Sequence, residues 1–337
     1  MKKRSMFLVM LCMCACVICA LAEAKPINGY VKGAQIDVGF ARPVEFLAGC
    51  EFPGGVGFIL VDTDSIGTYL IKQTANYEYN PICGSMPVMD QRGKISVSAD
   101  DAQHCVVTYE LDGETDVYSF GVEFTEKGQY EWVLSSYQRK TRDSVCKTEF
   151  SFLRADVQET RNGSTENAVV YYQFFRQANN LNFDKHPGSV MEALELQEKY
   201  PVAAVSPSDP ATRVNLRKGP GTNFPRCGSL YSGAVLSVRE ISDGWAKIYV
   251  GDTDAYISAE FLTFGAEIEN VPDMRPSATV RDGEWIKVSR APYWGGGGSV
   301  TQTHGGQDVR IMGEYNKQWR IVSANPGSYY IHTDDLK

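Results

Sequence analysis

The sequence predicts an all-β protein, and three observations lead to that fold class. Apolar and polar side chains alternate strictly over Tyr118–Phe124, which is the period-two pattern of a half-buried strand. Asp112-Gly113 precedes that strand, and this dipeptide is typical of a tight hairpin turn. Glycine (31 residues) and tyrosine (18 residues) are abundant, as expected for sheets joined by turns.

Residues 25–200 are expected to form an antiparallel β-sandwich or meander, because short strand patterns there follow one another through turn signals. The further predicted strands are Val56–Asp62, Thr68–Gln73, Lys94–Ser98, Lys147–Asp156 and Ala168–Arg176. No known family is recognised in this segment. Its function therefore has to be argued from individual residues.

One helix is predicted, at Ser189–Tyr200. Ser189 and Glu192 have the spacing of a capping box, and Pro201 ends the helical pattern. The residues that follow, 201–211, are small and are punctuated by prolines, a composition typical of a linker. A domain boundary is therefore expected there.

Residues 1–24 are predicted to be a secretory signal peptide. Lys2-Lys3-Arg4 form a positive start, an apolar run follows to Ala22, and Ala22 and Ala24 fit the pattern cut by signal peptidase. The run is shorter than the roughly 20 residues of a membrane span. An uncleaved anchor and a lipoprotein signal at Met13–Cys16 remain alternatives. Cleavage after Ala24 predicts an extracytoplasmic protein with no stable membrane span.

Composition and charge narrow the classes of function. The 337 residues are 43% hydrophobic and 22% charged, which excludes wholesale disorder. The formal net charge of −8 offers no basic surface for general nucleic-acid binding. No nucleic-acid partner is therefore expected.

Five cysteines lie beyond the predicted signal peptide. They are Cys50, Cys83, Cys105, Cys146 and Cys227. The first four allow three disulfide pairings, among which the sequence does not choose. None of the five has the C-x-x-C spacing of a zinc or redox motif, so neither a metal nor a cofactor is predicted.

The most specific motif covers residues 211–264. It opens with Asn215–Phe224 (NLRKGPGTNF), continues with Gly244–Ile248 (GWAKI) and closes with Tyr256–Leu262 (YISAEFL). This pattern resembles the bacterial SH3 domain, which we assign to residues 212–266. The resemblance implies a small β-barrel. In exported bacterial proteins it further implies a module that binds peptidoglycan or another polymer of the cell envelope.

A divergent second copy is predicted at residues 276–337. The spacing from Trp245 to Ile257 and Leu262 recurs in Trp319, Ile331 and Leu336. Its opening, residues 286–292, is a degraded match to residues 214–220. The fold expected for the whole chain is therefore an N-terminal sandwich or meander followed by two small SH3-like barrels.

Loop residues of the two copies are the candidate ligand contacts. We select Arg217, Asn223, Tyr231, Tyr256, Tyr293 and Trp294. Tyrosine and tryptophan suit this role because their rings stack while their polar tips form hydrogen bonds. Trp245 and Trp319 lie within strand patterns and are interpreted as packing residues. Tyr256 and Tyr330 fit either packing or binding.

Catalysis is the rival function, and the residues do not favour it. His104 and Cys105 are adjacent on a predicted strand, so their side chains point to opposite faces. Only His104 and His186 precede residue 208, too few for a multi-histidine zinc site. No serine nucleophile motif is found. We predict no catalytic residues and a non-catalytic, exported envelope-binding protein of a bacterium.

Two alternatives remain open beside this prediction. The first is an accessory or catalytic subunit of cell-wall hydrolysis, with the N-terminal domain as the enzyme. The second is a protein-docking or adhesion module. The expected partners are accordingly peptidoglycan, another wall polymer or an envelope protein.

Overall fold

The computed structural model describes most of the chain beyond the predicted signal peptide. The described residues are 25–26, 30–53, 55–63, 67–76, 78–86, 89, 92–124, 130–151, 154–174, 181, 185–283, 286–289, 291–292, 301–303, 305–306, 308–323 and 328–337. The predicted signal peptide, Tyr293 and Trp294 lie outside them. The prediction of an all-β chain built from antiparallel sheets is confirmed.

The first sheet has six strands. They are β1 (Lys25–Pro26), β2 (Gln35–Ile36), β3 (Val44–Glu51), β4 (Gly57–Asp62), β5 (Thr68–Gln73) and β6 (Tyr79–Met86). Their order is β1-β3-β4-β5-β6, with β2 also pairing with β3. The central strand β4 carries four consecutive fully buried side chains, Phe58 to Val61. Such a run requires cover on both faces of the sheet.

The second sheet is a seven-stranded meander in which every strand pairs with its neighbour in sequence. Its strands are β7 (Lys94–Asp101), β8 (His104–Leu111), β9 (Glu114–Phe124), β10 (Tyr130–Lys140), β11 (Ser144–Ser151), β12 (Arg154–Arg161) and β13 (Ser164–Tyr171). In β11, Cys146, Thr148 and Phe150 are buried while their neighbours are exposed or half-buried. The prediction of one strand over Lys147–Asp156 was wrong, because β11 ends at Ser151 and β12 begins at Arg154 and pairs with β11 in the antiparallel direction.

The two sheets pack face to face as a sandwich. Phe58, Leu60 and Leu70 of the first sheet share one core with Phe120 and Leu134 of the second. The opposite face of the first sheet is covered by the segment preceding β3. In that segment Ile36 and Val38 pack against Ile59 and Val61.

Helix α1 (Val190–Lys199) packs on this sandwich core through Val190 and Ala193, and Ser189 is its N-cap, as the predicted capping box requires. The Ser189 hydroxyl accepts a hydrogen bond from the Glu192 amide (3.1 Å), and the Glu192 carboxylate accepts one from the Gly188 amide (2.7 Å). The buried Glu159 carboxylate accepts the Val190 amide (3.0 Å). This bond holds the pKa of Glu159 below its usual value.

The segment predicted as a linker contains a strand, β14 (Val202–Val205), whose four residues are all buried. It pairs with β17 (Val235–Ser242) and with β20 (Leu262–Phe264). These three strands belong to the first C-terminal unit, residues 202–264. Its remaining strands are β15 (Val214–Arg217), β16 (Arg226–Leu230), β18 (Trp245–Val250) and β19 (Thr253–Ser258). Short 3-10 turns occupy Ala259–Phe261 and Gly265–Asn270. The linker prediction was wrong for Val202–Val205. The small apolar side chains that suggested a linker belong to a buried strand with a neighbouring strand on each side.

The second unit repeats strand pairs of the first at corresponding positions of the chain. Its strands are β21 (Ser277–Thr279), β22 (Ile286–Val288), β23 (Thr301–Thr303), β24 (Asp308–Glu314), β25 (Trp319–Ser323) and β26 (Ser328–His332), followed by a 3-10 turn at Thr333–Asp335. Trp245 is opposite Ser258 in the first unit, and Trp319 is opposite His332 in the second. The Arg217–Tyr256 pair likewise corresponds to the bridge between Ser289 and Tyr330.

The two units are joined into one sheet by β16 and β24, where Ser229 pairs with Glu314 and Leu230 with Gly313. Apolar residues from both units also share one core. Its largest members include Leu230, Ile248, Met312, Trp319, Ile321 and Tyr330. The Tyr330 hydroxyl donates to the Val250 carbonyl across the junction (3.2 Å). The predicted pair of SH3-like domains is therefore a single packed body.

Direct contacts also connect the sandwich to this body. Helix α1 ends at Lys199, and β14 begins at Val202. Arg154 on β12 donates to Glu269 in the 3-10 turn after β20 (2.7 Å) and forms a two-pronged ion pair with Asp156. The two halves of the chain meet without a flexible spacer.

The five described cysteines are free thiols, whereas the sequence had left three disulfide pairings open. Cys50, Cys83, Cys105 and Cys146 are buried in the sandwich core, whereas Cys227 is half-buried. Burial raises the pKa of Cys50 and that of Cys146 to about 11. Because the thiolate is the reactive form, these groups are inert at neutral pH.

Replacing Gly313 by alanine is expected to disrupt the junction between β16 and β24. A Cβ atom there would lie 2.2 Å from the Ser229 carbonyl oxygen and 2.8 Å from Leu230 Cδ2. We expect a loss of about 2 kcal/mol in the free energy of unfolding, measured by urea denaturation. Gly265→Ala is the control, because Gly265 has open space around it and a φ of +63°. It should cost about 1 kcal/mol, and equal losses in the two variants would contradict the close approach.

Alkylation with iodoacetamide at pH 8 is expected to modify Cys227 first. Cys50 and Cys146 are protonated at that pH and shielded by the core, so they should react only after denaturation. Peptide mapping by mass spectrometry measures the order of reaction. A disulfide-linked peptide from the sandwich core would contradict the free-thiol state.

Candidate functional site

The first SH3-like unit has a surface groove of about 260 Å³. Its walls come from the segment before β15, from β15 and its loop, from the start of β18, and from the end of β19 with the following 3-10 turn. The lining residues are Pro207, Thr212, Arg213, Val214, Asn215, Arg217, Thr222, Trp245, Ser258, Glu260 and Phe261. Aromatic, hydroxyl, amide and charged groups therefore converge in a small volume, as in many ligand sites.

One wall is a loop held in place by Arg217. The Arg217 guanidinium donates from Nη1 to the carbonyls of Thr222 and Phe224, both at 2.8 Å. Gly219 lies against the Phe224 ring, where a Cβ atom would come within 2.4 Å of the ring. Only glycine allows this close approach. The arginine and the glycine together set the shape of this loop.

Two aromatic side chains supply the apolar part of the groove. A tight turn at Asp243-Gly244, with φ angles of +51° and +77°, places Trp245 at the start of β18. Trp245 is half-buried in the groove, although its sequence pattern was interpreted as packing. Phe261 is another lining residue. Trp319, the counterpart in the second unit, is 4% exposed and packs as predicted.

Arg213 brings a second guanidinium group to the groove. Its Nη1 lies 2.5 Å from Glu314 Oε2, across the junction between the two units. The guanidinium lies 5.7 Å from the centre of the Tyr231 ring. The ion pair with Glu314 raises the pKa of Arg213 above its usual value, so this arginine is always charged. With Glu260 the groove has two cationic groups and one carboxylate.

The predicted contact residues are only partly gathered by this groove. Arg217 lines it, whereas Asn223 is exposed on the adjacent loop. Tyr231 lies at the junction, where its hydroxyl donates to Glu314 (3.3 Å). Tyr256 is half-buried in β19. Tyr293 and Trp294 lie outside the described residues, so their role stays a prediction.

Sequence reasoning missed most of the groove. The lining residues not selected are Pro207, Thr212, Arg213, Val214, Asn215, Thr222, Trp245, Ser258, Glu260 and Phe261. Several of them stand inside the quoted motif, so the motif was the available signal. Arg213 precedes Asn215, where the quoted opening of the motif begins, and its partner Glu314 is distant in sequence.

The features weighed for catalysis are dispersed in the structure. His104 is exposed and lies 3.0 Å from Asp101, while Cys105 next to it is fully buried. Burial raises the pKa of the Cys105 thiol well above its usual value. Among the described residues, no cluster of three histidine, cysteine or acidic side chains is arranged to hold a metal ion. In the same part of the chain, no helix combines the length and the apolar character needed to cross a membrane.

Comparison with known proteins assigns part of the chain. No curated protein matches its sequence significantly. Among solved structures, the chain is similar to NlpC2 from Trichomonas vaginalis, with 15% sequence identity and a TM-score of 0.19. The match covers 41% of this chain and 48% of that protein, about half its length, and it carries no functional argument. The family model described as bacterial SH3 domain matches residues 212–263. The chain therefore contains a bacterial SH3 domain, and the groove lies within and beside it.

Proposed function

We propose that this protein is a non-catalytic, exported binding protein of the bacterial cell envelope. In this proposal the SH3 domain binds peptidoglycan or another wall component through the groove around Trp245. The observation that carries the proposal is the convergence of Trp245 and Phe261 with two guanidinium groups in one groove. The matched family supports it, since bacterial SH3 domains are binding modules.

The chemistry of the groove suits the peptide part of peptidoglycan. That part presents free carboxylates, which guanidinium groups bind with charge-assisted hydrogen bonds. It also presents methyl groups, which pack well on the faces of Trp245 and Phe261. The hydroxyl and amide groups of Thr212, Asn215 and Ser258 add donors and acceptors for peptide bonds.

The charge of the chain favours a specific contact over a diffuse one. The formal net charge is −8, and −10 after removal of residues 1–24, so the protein as a whole is repelled by anionic wall polymers. Attraction must then come from short-range contacts inside the groove. Export, which this function requires, is provided by the predicted signal peptide at residues 1–24.

Trp245→Ala is expected to weaken binding of the purified protein to peptidoglycan about 30-fold, or about 2 kcal/mol, through loss of the main aromatic contact. The measurement is co-sedimentation over a range of polymer concentrations. Trp245→Phe should retain most of the binding, and circular dichroism verifies that each variant is folded. Tyr130→Ala is the matched control, because Tyr130 is 75% exposed and lies on β10, outside the groove. Unchanged binding by Trp245→Ala would show that the groove is not the binding site.

The same binding is expected to persist when the salt concentration is raised from 50 to 500 mM. Contacts within a partly enclosed groove are screened much less than exposed charges separated by more than a Debye length. Co-sedimentation at the two salt concentrations measures the effect. Binding that disappears at high salt would indicate diffuse electrostatics, and absence of binding at both would favour a protein partner.

A further inference from the structure

The groove of the SH3 domain has a contributor from outside that domain. Arg213 lines the groove, yet the carboxylate that pairs with it belongs to Glu314, at the end of β24 in the second unit. The distance between Arg213 Nη1 and Glu314 Oε2 is 2.5 Å. The side chain of Arg213 is 40% exposed and that of Glu314 is 31% exposed. This contact is therefore at the rim of the site, where it meets solvent.

Glu314 is itself held in place from several directions. Its backbone pairs with Ser229 where β16 meets β24. Its Oε1 accepts a hydrogen bond from the Tyr231 hydroxyl (3.3 Å) and lies 3.9 Å from Arg320 Nε. A carboxylate fixed by the strand pairing and by two neighbouring side chains offers Arg213 one defined location.

The ion pair leaves Arg213 able to bind a further group. A guanidinium has five N–H donors, and the contact with Glu314 is made through Nη1. The guanidinium also forms a hydrogen bond with the Tyr231 side chain. Its remaining N–H donors can bind a ligand carboxylate. A long, partly exposed arginine loses rotamer freedom when it binds a ligand, unless another contact has already ordered it.

We infer that Glu314 is a positioning residue for ligand binding, and that it orders Arg213 to receive a carboxylate of the ligand. The second unit is then part of the binding site of the first, and the two act as one binding module. This inference rests on the proposed function of the groove. Since ordering a rotamer-rich side chain is a recurrent cost of binding, loss of Glu314 should weaken affinity roughly two- to tenfold.

The first test compares Glu314→Gln with the unaltered protein in two measurements. Binding to purified peptidoglycan should weaken roughly two- to tenfold, and the heteronuclear NOE of the Arg213 Nε–Hε group should fall as the side chain becomes mobile. Arg213→Lys identifies that signal. Glu240→Gln, which removes an exposed carboxylate on β17, is the matched control and should change neither result. An unchanged NOE in Glu314→Gln would overturn the inference.

The second test separates positioning from a structural role at the junction. Exchanging the charges with Arg213→Glu and Glu314→Arg together retains an ion pair between the units, so the midpoint of thermal unfolding should stay close to that of the unaltered protein. Binding should remain weak, because a carboxylate now faces the ligand carboxylate. Full recovery of binding in the exchanged protein would show a purely structural role and overturn the inference.

Failure of the proposed function gives a different result. In that case the unaltered protein does not sediment with peptidoglycan, while the NOE of Arg213 still responds to Glu314→Gln. That combination would retain Glu314 as the residue that orders Arg213 and would overturn its role in wall binding.

Discussion

The antiparallel pairing of β16 with β24 is the constraint on which the C-terminal half of the molecule depends. The strands approach so closely at Gly313 that a side chain there would collide with the opposite backbone. The pairing extends one sheet through both units and brings Met312 and Trp319 into the core that contains Leu230. Each unit is small, and a small domain buries little apolar surface by itself. Sharing a core gives both units more buried surface than either would have alone.

The junction also explains why two related units differ in their surfaces. Trp245 and Trp319 occupy the same position in the repeat, each opposite a residue at the end of the last long strand. Trp319 is buried in the shared core, whereas Trp245 is half-buried and lines the groove. Equivalent residues thus have different roles, because Trp319 packs in the core shared by the two units and Trp245 lines a groove.

Local patterns made most of the fold predictable, and contacts between distant segments account for the errors. Alternation, Asp-Gly turns and the capping box at Ser189 depend on neighbouring residues, and they predicted the corresponding elements correctly. Val202–Val205 was mistaken for a linker because its partners, β17 and β20, follow much later in the chain. Arg213 was not selected as a site residue for the same reason, because its ion-pair partner Glu314 comes close to it only in the folded protein. The groove motif was recognisable, but which of its residues face solvent was not.

The direct passage from helix α1 into β14 has a mechanical consequence. Only two residues separate Lys199, the end of the helix, from Val202, the start of β14. The Arg154–Glu269 ion pair is a second connection between the sandwich and the C-terminal units. If this protein binds a polymer through its groove, its seven-stranded sheet would therefore be held at a fixed angle to that polymer. Under the proposed function, a force applied to the sandwich would pass to the groove through helix α1 and through β14, which pairs with β17 and β20.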